Sequence, residues 1–249
     1  MGASLLQRSS QTSATTAANG DPRPLSLRLA APVEVIGIFA ACQLFLWKYS
    51  QVYRRGWLLI LLFLLASLLL RRPSAAKLGI SFCHGWGALR WMVPGVVLPV
   101  APLLIYGARE GRIGLLRPDL LAVMQFLTYL GWCALQQFAL QSYLHNRLLD
   151  AVPNRHLTSA MTAVMFGSLH LPNPVLTVAT LAGGLLLGEI FTRHRNIWVL
   201  ALGQALVSTV ILVSLPDAWH HRLRVGPGYD WWEVPRPHQL PGFRFRVPG

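Results

Sequence analysis

The stretch from residue 156 to residue 188, HLTSAMTAVMFGSLHLPNPVLTVATLAGGLLLG, decides the fold class. It holds 33 residues without an Asp, Glu, Lys or Arg, between Arg155 and Glu189. A helix that crosses a bilayer needs about 20 mainly apolar residues, with a range of about 17–25. The Leu-Pro-Asn-Pro segment at 171–174 interrupts the stretch, because proline ends or kinks a helix. The stretch therefore predicts two membrane spans joined by a tight turn.

Similar uncharged stretches lie on both sides of this one, and 12% of the whole chain is charged. Soluble domains carry about 25% charged residues. With two shorter apolar segments nearer the N-terminus, the pattern predicts spans near residues 32–48, 56–70, 91–108, 119–145, 156–171, 174–191 and 196–215. The predicted fold class is an all-α, polytopic membrane helix bundle with about seven transmembrane helices.

The regions outside the bundle have a different composition. Residues 1–30 are rich in Ser, Thr and Ala and are predicted to form a disordered extension, whereas residues 31–215 form the bundle. Residues 216–249 form a Pro-, Trp- and Arg-rich tail, and we expect the tail to lie at the membrane surface. Its candidate interfacial anchors are Trp219, Trp231 and Trp232.

The net charge of +13 invites a nucleic-acid hypothesis. The arginines lie in short connections between spans and form no continuous groove, so we predict no nucleic-acid partner. Attraction to anionic lipid headgroups explains them more simply, and membrane lipids are the expected partners. We expect a multi-pass protein of a bacterial plasma membrane.

Polar side chains inside predicted spans are functional candidates, because hydrocarbon disfavours them. Three groups occur at helical spacing on the fourth, fifth and seventh spans: Gln136, Gln137 and Gln141; Phe166 and His170; Gln204 and Ser208. The simple alternative for each group is hydrogen bonding that holds helices together. On the sixth span, Gly184 and Gly188 form a GxxxG pair, which permits close helix approach. Together the groups predict one polar site enclosed by the bundle.

The cysteine and histidine spacings indicate no metal site and no cofactor. No CxxC pair exists, and the histidines outside the polar groups have no zinc-binding spacing: His84, His145, His156, His194, His220, His221 and His238.

The order of these motifs resembles the CPBP family, which contains the CAAX proteases and the bacteriocin-processing (Abi) enzymes. That family carries EExxxR, then FxxxH, then HxxxN or HxxxD. Here Gln136-Gln137-Phe-Ala-Leu-Gln141 occupies the first motif, Phe166-Gly-Ser-Leu-His170 matches the second, and Gln204-Ala-Leu-Val-Ser208 occupies the third. The similarity covers roughly residues 77–212, including the Leu-Gly-Ile segment at 78–80.

The resemblance implies an intramembrane endopeptidase-like protein that acts on or binds membrane-associated peptide or protein substrates. It assigns catalytic positions to His170, Gln136 and Gln137, and substrate-binding positions to Gln141, Phe166, Gln204 and Ser208. Both family glutamates are glutamine here, and a carboxamide cannot act as a general base.

Three functions remain open from the sequence. One is a hydrolase in which His170 is the sole base and glutamine donors form an oxyanion hole. A second is a non-catalytic membrane scaffold or chaperone that keeps the polar site. A third is a small transporter, for which the ionisable candidates are Glu34 and Glu189; we expect Glu189 to pair with Arg193 at i+4 instead.

Overall fold

A computed structural model describes residues 25–53, 55–82, 85–113, 119–152 and 154–230. Within these ranges every regular element is helical, and no strand occurs. The longer helices are α1 (Leu25–Leu44), α2 (Trp57–Arg71), α4 (Gly85–Arg109), α5 (Leu120–Gln137), α7 (Arg155–Ser168), α8 (Pro174–Arg193) and α9 (Ile197–Ser214). The short ones are α3 (Ala75–Leu78), α6 (Asn146–Ala151) and α10 (Asp217–His220). The predicted all-α class is confirmed.

Four of the described segments are long and apolar enough to cross a membrane: Ala30–Tyr49, Gly85–Arg109, Pro174–Arg193 and Ile197–Ser214. Helix α2 is apolar but shorter. The remaining predicted spans coincide with α5 and its π-helical continuation Phe138–His145, and with α7, which has 14 residues. A helical membrane bundle fits these elements. Its outer surface carries exposed Leu59, Leu98 and Val178, as expected of side chains that face lipid.

The α7–α8 hairpin contains the stretch that decided the fold class. Asn173 caps α8 by accepting a hydrogen bond from the Leu176 amide at 3.1 Å. A Cβ atom placed on Gly184 would lie 3.0 Å from the Ala163 Cα, so the two helices approach backbone to backbone. Gly188 is equally close to Ser159. The close approach predicted from the GxxxG pair is confirmed.

Two larger buried clusters hold the bundle together, beside a smaller one of Cys133, Ala201 and Ala205 between α5 and α9. One surrounds Tyr143 and Phe166 where α1, α2, the π-helical segment and α7 meet. The other surrounds Phe191 and Leu200 where α4, α8 and α9 meet. Helix α9 packs against both α4 and α5, which brings the seventh predicted span beside the fourth.

The start of the C-terminal tail packs on the turn between α7 and α8. The Asn173 side-chain amide donates to the His220 carbonyl at 2.7 Å and to the Arg224 carbonyl at 2.9 Å. The Gly226 amide donates to the Leu171 carbonyl at 2.8 Å. Trp219, one predicted anchor, is half exposed and stacks on Tyr106 of α4.

Several predictions fall outside the described residues. They concern the extension up to residue 24 and four side chains of interest: His84, Trp231, Trp232 and His238. The three-part division at residues 30 and 215 therefore stays a prediction. Helix α1 begins at Leu25.

Candidate functional site

Three of the predicted site glutamines form one hydrogen-bonded chain between α5 and α9. The Gln137 Nε2 atom donates to Gln204 Oε1 at 2.6 Å, and Gln204 Nε2 donates to Gln136 Oε1 at 2.7 Å. Gln137 is fully buried, whereas Gln136 and Gln204 are partly exposed. We call these three residues and Gln141 the glutamine cluster. The sequence correctly predicted that polar groups of the fourth and seventh spans meet.

The inner part of the glutamine cluster has unused hydrogen-bonding capacity. Gln137 Oε1 and both polar atoms of Gln141 are buried and have no hydrogen-bond partner among the described residues. Leaving a buried polar group without a partner costs about 1–3 kcal/mol. Native proteins rarely retain such groups unless water, an ion or a ligand uses them. Gln137 therefore presents one acceptor to a ligand, and Gln141 presents one acceptor and one donor.

Gln141 lies in the π-helical segment Phe138–His145, directly after α5. A π-helical turn closes i→i+5 hydrogen bonds, so it is wider than an α-helical turn and is frequent at functional sites. The predicted helical spacing of Gln137 and Gln141 assumes an α-helix, in which these two side chains and His145, at i, i+4 and i+8, share one face. That assumption is wrong for this segment, because the wider turn rotates each later side chain around the axis.

His145 shows where the rotation leads. Its Nε2 atom lies 3.0 Å from Thr192 Oγ1, and its Nδ1 atom lies 3.2 Å from Thr162 Oγ1. Because the Thr192 hydroxyl already donates to the Gly188 carbonyl at 2.8 Å, it accepts the proton of Nε2. His145 is thus a fully buried cross-link between α7 and α8.

His170 lies in the turn after α7. Its Nδ1 atom donates to the Phe166 carbonyl at 2.7 Å, because a carbonyl can only accept. This fixes the tautomer in which Nε2 carries the free lone pair. The Phe166 ring meets the imidazole edge to face at 4.8 Å between centroids and is itself buried in the Tyr143 core cluster. No hydrogen bond among the described residues joins His170 to the glutamine cluster, so its predicted convergence with the glutamines is not observed as a direct contact.

Ser208, the last predicted site residue, is partly buried one turn beyond Gln204 on α9. It forms a hydrogen bond with the side chain of Tyr129, which also bonds to Cys133. Tyr129 was not among the predicted site residues. Its signal was available: Tyr129, Cys133 and Gln137 follow at i, i+4 and i+8 on α5, which is α-helical there.

One group of ionisable side chains lies at the end of α2, away from the glutamine cluster. Glu34 forms an ion pair with Arg71, and its Oε2 atom lies 3.0 Å from Arg147 Nε. The Tyr143 hydroxyl donates to the same oxygen at 3.3 Å. Glu189 pairs with Arg193 at 2.7 Å, as predicted, and with His156. Among the described residues, no three His, Cys, Asp or Glu side chains are grouped as metal ligands would be, and the expectation of no metal stays a prediction.

These elements define a helical membrane-type bundle with an uncharged, carboxamide-lined site between two long helices. A family model described as type II CAAX prenyl endopeptidase Rce1-like matches residues 118–210. That range contains all seven predicted site residues and confirms the resemblance to the CPBP family over this part of the chain. The match supports a function of the membrane-protease type for an integral membrane protein. No curated protein and no solved structure gives a significant match.

Proposed function

We propose that the chain binds a membrane-associated peptide segment in the glutamine cluster and acts as a protease-type receptor or scaffold without the family's general base. The observation that carries the proposal is the set of buried, unpartnered amide atoms on Gln137 and Gln141. A peptide unit offers one N–H and one C=O, which complement the acceptor and the donor of Gln141, and the N–H of a second peptide unit would complement the Gln137 acceptor. Pairing them removes a penalty of about 1–3 kcal/mol per group.

The partly exposed glutamines supply a way in. Gln136 and Gln204 are partly exposed, so the hydrogen-bonded chain of Gln136, Gln204 and Gln137 leads from the partly exposed side chains to the buried Gln137. Because Gln137 and Gln141 are closed off in the present arrangement, a peptide reaches them only when neighbouring helices separate. An opening of this kind is common when a ligand selects a minor state.

The chemistry of the cluster favours binding over cleavage. A carboxamide donates and accepts hydrogen bonds but cannot take a proton from water. General-base catalysis contributes about 100- to 10,000-fold to a hydrolytic rate. His170 has a free Nε2 lone pair, yet its one hydrogen bond in the described structure is to its own helix turn and not to a carboxylate. We therefore expect capture of peptides with little or no hydrolysis.

A photo-crosslinking experiment with a hydrophobic, membrane-anchored peptide tests capture directly. Gln141→Leu should reduce crosslinking at least several-fold, because it removes both open polar atoms. Gln125→Leu is the matched control, since Gln125 is also a buried glutamine but lies on α5, 16 residues before Gln141. Equal crosslinking by both variants would contradict the proposal.

Restoring the carboxylates tests the absence of the base. The double variant Gln136→Glu and Gln137→Glu should show hydrolysis of the same peptide above the wild-type level, by about 100-fold or more if the remaining geometry is intact. Mass spectrometry of new peptide termini is the measurement. Wild-type protein that produces new termini, and loses them on His170→Ala, would show that the natural chain is a working hydrolase and would refute the scaffold proposal.

A further inference from the structure

A cavity of about 680 Å³ opens between α1, α2 and the segment Arg147–Asp150, away from the glutamine cluster. One wall is apolar and consists of Phe63, Ala66 and Leu70. The other wall is charged and includes Arg71, Lys77, Arg147, Glu34 and Asp150. Such a division of walls matches an amphiphile with an ionic head and a hydrocarbon tail.

The charged wall has an excess of cations. Glu34 pairs with Arg71 and Arg147, and Asp150 pairs with Lys77 at 3.5 Å. Arg195 belongs to the same group: it donates to the Lys77 carbonyl at 2.8 Å and to Asn146 Oδ1 at 2.7 Å. Burial lowers the pKa of Arg195 and the Asp150 carboxylate opposes that shift, so Asp150 lies within electrostatic reach. Arg195 does not line the cavity itself, so three lining cations face two carboxylates, with Arg195 as a further positive charge nearby. The charged wall therefore has a net positive charge, which favours an anion.

Lys77 is the cation best placed to meet a ligand. Its side chain is 39% exposed, compared with 5% for Arg147, and its ion pair with Asp150 is long. Its backbone is fixed independently of the side chain, because the carbonyl accepts from Asn146 and Arg195 and the amide donates to Ser74 Oγ. The ammonium group is thus held at the cavity while remaining open to an anion.

The apolar wall continues into the lipid-facing surface. Leu70 is 85% exposed and Phe63 is 51% exposed, both on the outer side of α2. Arg71 ends that helix, as basic residues do at the level of the headgroups. An acyl chain can lie along this wall while its phosphate lies among the cations.

We propose that this cavity binds the phosphodiester headgroup of an anionic phospholipid, with Lys77 and Arg71 as its principal ligands. The anion completes the charge balance that Glu34 and Asp150 leave open. Because the apolar wall holds the acyl chain, free inorganic phosphate binds far more weakly than the lipid.

Native mass spectrometry of the full chain in a neutral detergent, supplemented with phosphatidylglycerol or phosphatidylcholine, tests the site. Wild-type protein should retain phosphatidylglycerol preferentially. Lys77→Gln should weaken that retention about fivefold, the factor that corresponds to about 1 kcal/mol for one basic residue at an anionic lipid surface. Arg193→Gln is the matched control, because Arg193 carries the same charge near Arg195 but pairs with Glu189 and does not line the cavity.

Two further experiments distinguish binding of the whole lipid from binding of a free phosphate. Ala66→Phe places a bulky group in the apolar wall at an exposed position, so it should block lipid retention without unfolding the bundle. Inorganic phosphate at millimolar concentration should not displace the lipid. Equal losses in Lys77→Gln and Arg193→Gln, equal retention of the two lipids, or displacement by free phosphate would each overturn the proposal.

Discussion

The glutamine cluster and the charged cavity differ in whether their buried polar groups have partners. In the cluster, neutral carboxamides are partly joined to one another and three polar atoms have no partner. In the cavity, both carboxylates, Glu34 and Asp150, are paired with basic side chains. A buried neutral group without a partner costs about 1–3 kcal/mol, whereas a buried charge without a partner costs several. Only uncharged groups can therefore be left open inside a membrane bundle at tolerable cost.

The largest expected effect comes from breaking a pair in the charged cavity. Arg147→Met removes one of the two basic partners of Glu34 while keeping an apolar stem of similar length. Removing the sole partner of a buried charge destabilises by about 3–5 kcal/mol, and because Arg71 stays paired with Glu34 we expect a loss at or below the lower end of that range. Thermal unfolding in detergent should show a large fall in midpoint. Arg222→Gln, at an exposed pair with Asp217, should change stability by no more than about 0.5 kcal/mol. A small effect of Arg147→Met would contradict the view that this cavity depends on paired charges.

A substitution in the glutamine cluster should change stability in the opposite direction. Gln141→Leu replaces a fully buried amide that has no partner with an apolar side chain of similar size. We expect the empty protein to gain stability, by about 1–3 kcal/mol at most, because an unsatisfied group is removed. Unfolding in the absence of peptide is the measurement. A clear loss of stability would mean that Gln141 is already satisfied, for example by an ordered water, and would weaken the peptide-binding proposal.

The smallest expected effect is the dependence of folding stability on pH. The four glutamines do not contribute to it, because they do not ionise. His220 in the tail is fully buried, and burial lowers its pKa below the ordinary value, with Asp217 opposing that shift. The unfolded chain then binds a proton near pH 6.5 before the folded chain does. Stability should fall as pH decreases below about 6.5, by on the order of 1 kcal/mol per pH unit until the folded pKa is reached.

His220→Gln should flatten that slope, because glutamine does not ionise. The variant should still fold, because glutamine can donate to the Leu215 carbonyl that His220 Nε2 contacts at 3.2 Å. Unfolding midpoints between pH 7.5 and 5.5 provide the comparison. An unchanged slope in the variant would show that the pH dependence arises elsewhere in the chain.

The sequence by itself determined the class of the fold and predicted the candidate site residues. Runs of uncharged residues interrupted by Pro-Asn-Pro predicted helices and their turn, because bilayer thickness and proline geometry act locally. The spacing of Gln137 and Gln204 within their spans was sufficient to predict polar faces. The GxxxG pair likewise predicted a close helix contact that Gly184 makes.

Only the tertiary structure decided which polar faces meet and which groups stay open. The π-helical turn after Gln137 directs His145 towards Thr162 and Thr192, and no local spacing predicts such a widening. The ion pairs of Glu34 join residues more than 30 positions apart, so they depend on helix packing. Burial of Gln141 without a partner is likewise a property of its surroundings. Periodicity fixes the face on which a side chain lies, whereas packing decides what that face contacts.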